Sequence, residues 1–97
     1  MARRILSLDK YNELIKQKNT TFMISLYAPW SRRCKRLDND MTRHLSNYKI
    51  YKIDVDAEPF EDGIDVPALP CVWIYKNGKK IELTRPSIDD IYEKLIL

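Results

Sequence analysis

The stretch FMISLYAPWSRRCKRL, residues 22–37, contains the change from strand to helix on which the fold prediction depends. Its first part, FMISLY, is apolar at nearly every position, which is typical of a strand covered on both faces. Ser31 is well suited to cap a following helix, because its hydroxyl can accept a hydrogen bond from a first-turn amide. That helix carries Cys34 and Leu37 on one apolar face, with further apolar residues at spacings of three and four. The stretch therefore predicts a buried strand that leads directly into an amphipathic helix.

Hydrophobic periodicity on both sides of this stretch predicts alternating strands and helices. In chain order we expect a strand over residues 3–6, a helix beginning near Asp9, the strand and helix described above, a strand over residues 48–55, a helical turn over residues 58–63, strands over residues 71–75 and 79–83, and a final helix from Pro86. Asn77-Gly78 favours a tight hairpin between the last two strands, because a type I′ turn needs positive φ at both positions. Helices between strands, followed by a hairpin, indicate an α/β fold with a mixed sheet and helices on both faces.

Length and composition are those of a soluble single-domain protein. The 97 residues are 44% hydrophobic and 32% charged, and we predict one domain over residues 1–97. The net charge of +3 is too weak to indicate nucleic acid, since acidic residues are interspersed along the chain, and no apolar run is long enough to span a membrane. Two cysteines without an export signal are typical of free thiols in a reducing compartment. We therefore expect a cytoplasmic monomer that binds neither membranes nor nucleic acid.

One local exception to the balanced charge lies at the start of the second helix. Arg32, Arg33, Lys35 and Arg36 form a basic cluster with no acidic residue inside it. Such a run is usually a solvated helix start. It could also select acidic partners or hold the carboxylates of glutathione, because a guanidinium group can bind a carboxylate through two hydrogen bonds. Both interpretations stay open.

Three segments of the chain, taken together, resemble the thioredoxin family. FMISLYAPWSRRCKRL resembles the family's strand, active-site motif and following helix, YKIDVD resembles its central strand, and DVPALPCVWIYKNGKKI resembles its cis-proline segment, next strand and hairpin. The match runs in register over nearly the whole chain. It implies a thioredoxin fold, with a central mixed sheet of about five strands flanked by helices on both faces. It also implies that Trp30, the motif and a cis Pro70 meet at one surface, where Arg32, Arg33 and Leu69 complete a groove for an extended partner peptide.

The four-residue motif departs from the family's Cys-x-x-Cys pattern. By the resemblance, Ser31 stands at the position of the nucleophilic cysteine and Cys34 at that of the resolving cysteine. A serine hydroxyl needs a partner base before it can attack, and none is evidently placed for this, so we interpret Ser31 as a helix cap. Cys34 is either a buried, inert core thiol or a reactive thiolate. Burial disfavours the charged form, whereas the helix start and the basic cluster favour it.

Two further positions differ from the family pattern. Ser25 stands where the family usually has a buried aspartate that assists proton transfer, although Lys52, the usual lysine neighbour of that acid, is retained. The segment Thr84-Arg85 lacks the glycine that usually lines the groove, so we expect this surface to be more basic and less open. The loss of both the nucleophile and the proton shuttle argues against efficient dithiol turnover.

Cys71 directly follows the expected cis-proline and is a possible second thiol. It is either a partner of Cys34 in a disulfide, which needs Cα atoms within about 7 Å, or a buried strand residue. Cys34, Cys71 and His44 are too scattered for a metal-ligand set, and we predict neither a metal nor a cofactor. His44 is expected to be a partly buried histidine at the edge of the core.

Two functions from different classes follow from these observations. The first is a thiol–disulfide oxidoreductase of the thioredoxin type that acts on protein or peptide thiols and disulfides, with glutathione or a reductase as further partners. In this case either Cys34 acts as a single thiol, or Ser31 is an engineered replacement of the nucleophilic cysteine of a disulfide reductase. The second is a redox-inactive binding module that holds a partner peptide in the groove at Trp30 and Pro70. A third function, binding of anionic partners such as nucleic acid, is disfavoured by the near-balanced charge.

Overall fold

The described strands and helices follow one another in the predicted order. A computed structural model of the protein describes residues 3–5, 7–56 and 68–96. Its elements are the strands β1 (Arg3–Arg4), β2 (Thr21–Tyr27), β3 (Lys49–Asp54), β4 (Cys71–Lys76) and β5 (Lys79–Thr84), and the helices α1 (Leu8–Ile15), α2 (Arg32–His44) and α3 (Ile88–Ile96). The helical turn predicted over residues 58–63 lies outside the described residues. No helix in the described part of the chain is long and apolar enough to cross a membrane.

The strands form one mixed sheet in the order β1-β3-β2-β4-β5. β1 and β2 run parallel to β3, whereas β4 runs antiparallel to β2, and β5 antiparallel to β4. β2 therefore lies at the centre of the sheet, and it is buried over residues 22–26, as its continuous apolar run predicts. The predicted α/β fold with a mixed sheet of about five strands is confirmed.

Helices cover both faces of this sheet and divide the core in two. On one face, α1 packs against alternate strand residues in a cluster that includes Leu14, Phe22, Ile24, Leu26, Cys71, Trp73 and Tyr75. On the other face, α2 and α3 pack against the intervening residues in a cluster that includes Met23, Leu37, Met41, Val72, Ile74, Ile91 and Leu95. Successive side chains of a strand point to opposite faces, so neighbouring residues of β4 belong to different clusters. The prediction of helices on both faces is confirmed.

Two local signals define the last third of the chain. Asn77 and Gly78, between β4 and β5, have φ values of 53° and 84°, as the predicted tight hairpin requires. At the start of α3, the Ser87 hydroxyl accepts a hydrogen bond from the Asp90 N–H at 3.1 Å. The Asp90 carboxylate in turn accepts one from the Ser87 N–H at 3.0 Å. This reciprocal pair is a capping box, and it satisfies two amides that the helix itself cannot.

Candidate functional site

Ser31 caps helix α2, as the sequence predicts. Its hydroxyl oxygen accepts a hydrogen bond from the Cys34 backbone N–H at 3.3 Å, and its own backbone is extended, with φ −87° and ψ 120°. Within the described residues, no histidine or carboxylate bonds to this hydroxyl, so no base is placed to remove its proton. The hydroxyl therefore serves the helix start rather than nucleophilic chemistry.

Cys34 is nearly buried but lies beside open space. It sits on the buried face of α2 with Leu37 and Met41, and only 3% of its surface is exposed. It nevertheless lines a cavity of about 330 Å³, which we call the thiol cavity. The other residues that line the thiol cavity are Ser25, Tyr27, Ala28, Pro29, Lys35, Asp38 and Lys52. Cys34 therefore has little exposed surface, and the thiol cavity is the open space beside it.

The thiol cavity also contains the two positions at which the resemblance places proton transfer. Ser25 and Lys52 are register partners in the neighbouring strands β2 and β3. The Ser25 side chain is 6% exposed and has a hydroxyl instead of a carboxyl group. Lys52 Nζ lies 5.2 Å from the centroid of the Tyr27 ring, which is a cation–π distance. The structure therefore brings both predicted positions to the cavity of Cys34, but neither supplies a carboxylate.

Asp38 is an acidic residue of this cavity that the sequence analysis missed. It follows Cys34 by four residues on α2, a spacing that places two side chains on neighbouring parts of one helix face. The resemblance assigns the family's acid to position 25 on β2, so it implies no role for an acid on α2. The spacing from Cys34 is the signal that could have found it. A carboxylate thus reaches the thiol cavity from the helix instead of from the strand.

Ser31 itself lines a groove at the start of α2. Its volume is about 400 Å³, and we call it the partner groove, lined by Trp30, Ser31, Arg32, Arg33, Leu69 and Arg85. The Trp30 side chain is 73% exposed, and its Nε1 donates a hydrogen bond of 2.7 Å to Oδ2 of Asp56. This bond holds an exposed aromatic ring in a defined place. The sequence analysis did not predict a role for Asp56, since the bond joins residues that lie 26 positions apart.

The segment before β4 and the turn after β5 meet at the edge of the partner groove. Pro70 is buried, and the Leu69–Pro70 peptide bond is cis. The Arg85 backbone N–H donates to the Pro70 carbonyl at 2.8 Å, and the Arg85 Nε donates to the Leu69 carbonyl at 3.2 Å. Arg85 has a φ of 48°, a left-handed conformation in which glycine is usual. Where the resemblance implies a glycine, this chain carries a guanidinium group in the groove wall.

Cys71 is fully buried in β4, and both it and Cys34 are free thiols. Cys71 belongs to the cluster on the α1 face of the sheet, whereas Cys34 lies on α2, which packs on the opposite face. The structure therefore does not bring this possible second thiol to Cys34, because the sheet lies between them. Burial raises the pKa of the Cys71 thiol above its usual value, and the negative charge of Glu82 adds to this effect.

The prediction of a partly buried His44 is wrong. The side chain is exposed at the end of α2, because the next residue, Leu45, occupies the buried position there and is only 3% exposed. His44 is thus a surface residue that lies apart from the two cysteines. In residues 3–5, 7–56 and 68–96, no three histidine, cysteine or acidic side chains gather as metal ligands would.

Fold and site together define the class of this protein: a thioredoxin fold in which α2 begins at a serine cap and carries one cysteine in its first turn. The sequence profile of the thioredoxin family matches residues 3–94. The chain therefore belongs to the thioredoxin family.

Individual relatives agree with this assignment. The chain is 30% identical over 82 residues to the mitochondrial Thioredoxin-3 of Saccharomyces cerevisiae. The matched region covers 80% of this chain and 64% of that protein. It is 26% identical over 76 residues to Thioredoxin AMT13 of Alternaria alternata. That match covers 74% of this chain and, again, 64% of the relative's length. The crystal structure of oxidized Thioredoxin 3 from Saccharomyces cerevisiae matches 98% of this chain and 92% of that one, at 27% identity and a TM-score of 0.79. The predicted thioredoxin fold is confirmed.

Proposed function

We propose that this chain is a thioredoxin-type thiol–disulfide protein whose reactive group is the single thiol of Cys34. The observation that carries the proposal is the thiol cavity, which brings Lys35, Asp38 and Lys52 to the residue that holds the sulfur. The thiolate is the nucleophile in disulfide exchange. A carboxylate in the same cavity can accept the thiol proton and return it later.

The proposed reaction is a disulfide exchange with an external resolving thiol. The Cys34 thiolate attacks one sulfur of a partner disulfide, so that a new S–S bond joins the two molecules. The partner's other sulfur leaves as a thiolate and takes up a proton. Because position 31 carries no sulfur, a second thiol from glutathione or from a protein must attack the mixed disulfide and release Cys34. Each turnover therefore consumes one external thiol at this step.

The partner groove is proposed to hold an extended segment of the partner next to the motif. Trp30 offers an exposed aromatic surface there, and its hydrogen bond to Asp56 fixes the orientation of the ring. The partners we propose are protein or peptide thiols and disulfides, together with glutathione or a reductase. Two free cysteines suit a reducing compartment, so we propose a cytoplasmic location.

A redox-inactive binding module is the second candidate function, and one observation favours it. Only 3% of the Cys34 surface is exposed, and the Ser31 hydroxyl is already used as a helix cap. In this case the partner groove binds a peptide beside Trp30 and Pro70, and no sulfur takes part. Reactivity of Cys34 in the folded protein separates the two candidates.

Incubation of the reduced protein with glutathione disulfide is expected to add one glutathionyl group to Cys34. The adduct should form in the parent chain and in the Cys71→Ala variant, which keeps the thiol of the thiol cavity. It should be absent in Cys34→Ala, whose remaining Cys71 is fully buried. Intact-mass measurement and peptide mapping after labelling under native conditions check this, with circular dichroism as the test of folding.

The opposite result would be a folded parent chain that forms no adduct until it is unfolded in urea. Cys34 would then be a core thiol, and the single-thiol proposal would give way to the binding module. An adduct on Cys71 rather than Cys34 in the native protein would contradict both the proposal and the buried position of Cys71.

A further inference from the structure

Four arginines surround two adjoining cavities at the motif end of the molecule. One cavity is the partner groove, and the other, of about 300 Å³, lies between α2 and the turn that precedes α3. Arg33 and Arg85 line both cavities, whereas Arg32 lines the partner groove and Arg36 lines the second cavity. We call these four side chains the arginine surface. Because the two cavities share two of their lining residues, the arginine surface is continuous.

The charges of the arginine surface are not neutralised within the described part of the chain. All four side chains are exposed, and none of them forms an ion pair with a described carboxylate. Of the described residues that line the two cavities, Asp40 alone is acidic. Like charges held close together repel one another, and an anion bound among them relieves this repulsion.

The backbone and side-chain contacts of Arg85 hold one of these charges at a fixed position. A left-handed backbone is unfavourable for a residue with a side chain, yet Arg85 holds a φ of 48°. Hydrogen bonds to the carbonyl groups of Pro70 and Leu69 fix it there. The bond to Leu69 uses Nε, and no described residue bonds to the terminal guanidinium nitrogens, which suit the forked contact that a carboxylate makes with arginine.

We propose that the arginine surface selects partners through an acidic, extended peptide segment next to the partner's disulfide or thiol. Carboxylates of Asp and Glu side chains bind the guanidinium groups, and the attraction also steers the partner toward the motif. The inference rests on the proposed partner groove, but it does not depend on the chemistry of Cys34.

The spread of the arginines favours a peptide over a compact anion. They lie on two elements, the first two turns of α2 and the turn after β5, and the exposed ring of Trp30 borders the partner groove. A small anion would contact one or two guanidinium groups and leave Trp30 unused. An extended segment that carries both acidic and apolar side chains contacts all of them. The net charge of +3 is too small to favour nucleic acid.

Fluorescence anisotropy with two labelled peptides tests this proposal. One peptide has Asp and Glu on both sides of a serine, and the other has Asn and Gln at the same positions; neither contains cysteine. At low salt the acidic peptide is expected to bind the parent chain roughly tenfold more tightly than the neutral one. Arg33→Gln should remove most of this preference, because Arg33 lines both cavities. Arg85→Gly should also remove most of the preference, and glycine suits the left-handed backbone at this position, so the turn is expected to stay folded.

Arg43→Gln is the matched control, since Arg43 is also an exposed arginine of α2 but lies in its last turn. This variant should keep the preference for the acidic peptide. Equal binding of both peptides, or an equal loss in Arg43→Gln and Arg33→Gln, would overturn the inference. So would tighter binding of a single-stranded RNA oligonucleotide than of the acidic peptide. If Cys34 still forms its adduct with glutathione disulfide when the peptide test fails, only the arginine surface proposal is overturned. Failure of the peptide proposal is thus distinguishable from failure of the thiol proposal.

Discussion

Ser31→Cys is expected to turn this chain into a dithiol disulfide reductase, with a gain in rate of about a hundredfold or more, as is typical when a missing nucleophile is restored. The new thiol would replace the hydroxyl that now accepts the Cys34 N–H at 3.3 Å. A thiolate there would accept the same amide, and the positive end of the helix dipole would lower its pKa. Cys34 would then attack the mixed disulfide from within the same helix turn, and no external thiol would be needed.

Reduction of a small aromatic disulfide, followed by absorbance with dithiothreitol as the final reductant, measures this gain. Ser31→Ala removes the cap without adding sulfur and should stay as slow as the parent. Ser31→Cys with Cys34→Ala should form mixed disulfides but release them slowly. A folded Ser31→Cys variant with the parent's rate would contradict the assignment of position 31. Full reductase activity of Ser31→Cys would also support the alternative that this chain is a disulfide reductase whose nucleophilic cysteine has been replaced by Ser31.

The second large effect is expected in the core, where Phe22→Ala should lower the free energy of unfolding by about 3–5 kcal/mol. Phe22 is 1% exposed in the central strand. Its ring stacks on Tyr75 at a centroid distance of 4.9 Å and meets Tyr51 edge-on at 5.9 Å. Truncation therefore removes both an apolar contact and two aromatic contacts, and the rigid sheet cannot collapse to fill the space.

Urea unfolding followed by circular dichroism measures this loss as a lower midpoint at an unchanged slope. Tyr92→Ala is the matched control, because Tyr92 is 51% exposed on α3, and its loss should change stability by no more than about 0.5 kcal/mol. Similar losses in both variants would show that the α1 side of the core does not carry the stability assigned to it. The total free energy of unfolding of a small domain is only about 5–15 kcal/mol, so the expected loss is a large fraction of it.

The elements that the sequence predicts correctly are those that short-range patterns encode. The apolar run before Ser31 predicts a central buried strand, and the serine predicts the cap of α2. Asn77-Gly78 predicts the hairpin through its φ requirement. Each of these signals lies within a few neighbouring residues, so no knowledge of the tertiary structure is needed to interpret it.

The parts of the site that escaped prediction depend on contacts between distant segments. The bond from Trp30 to Asp56 and the bonds from Arg85 to the Leu69–Pro70 segment join elements that only the sheet brings together. The separation of Cys71 from Cys34 likewise follows from the side of the sheet on which each one packs. Asp38 is different, because its spacing from Cys34 is visible in the sequence, whereas the resemblance places the family's acid at position 25.

The pH dependence of alkylation of the two cysteines, measured by mass spectrometry on the folded protein, tests the central claim most directly. We expect a small reagent such as iodoacetamide to label Cys34 readily near neutral pH through the thiol cavity. Cys71 should stay unlabelled, because it is fully buried and its raised pKa leaves less thiolate at any given pH. Labelling of Cys34 only after unfolding, at the same rate as Cys71, would contradict the account and identify this chain as a redox-inactive thioredoxin fold.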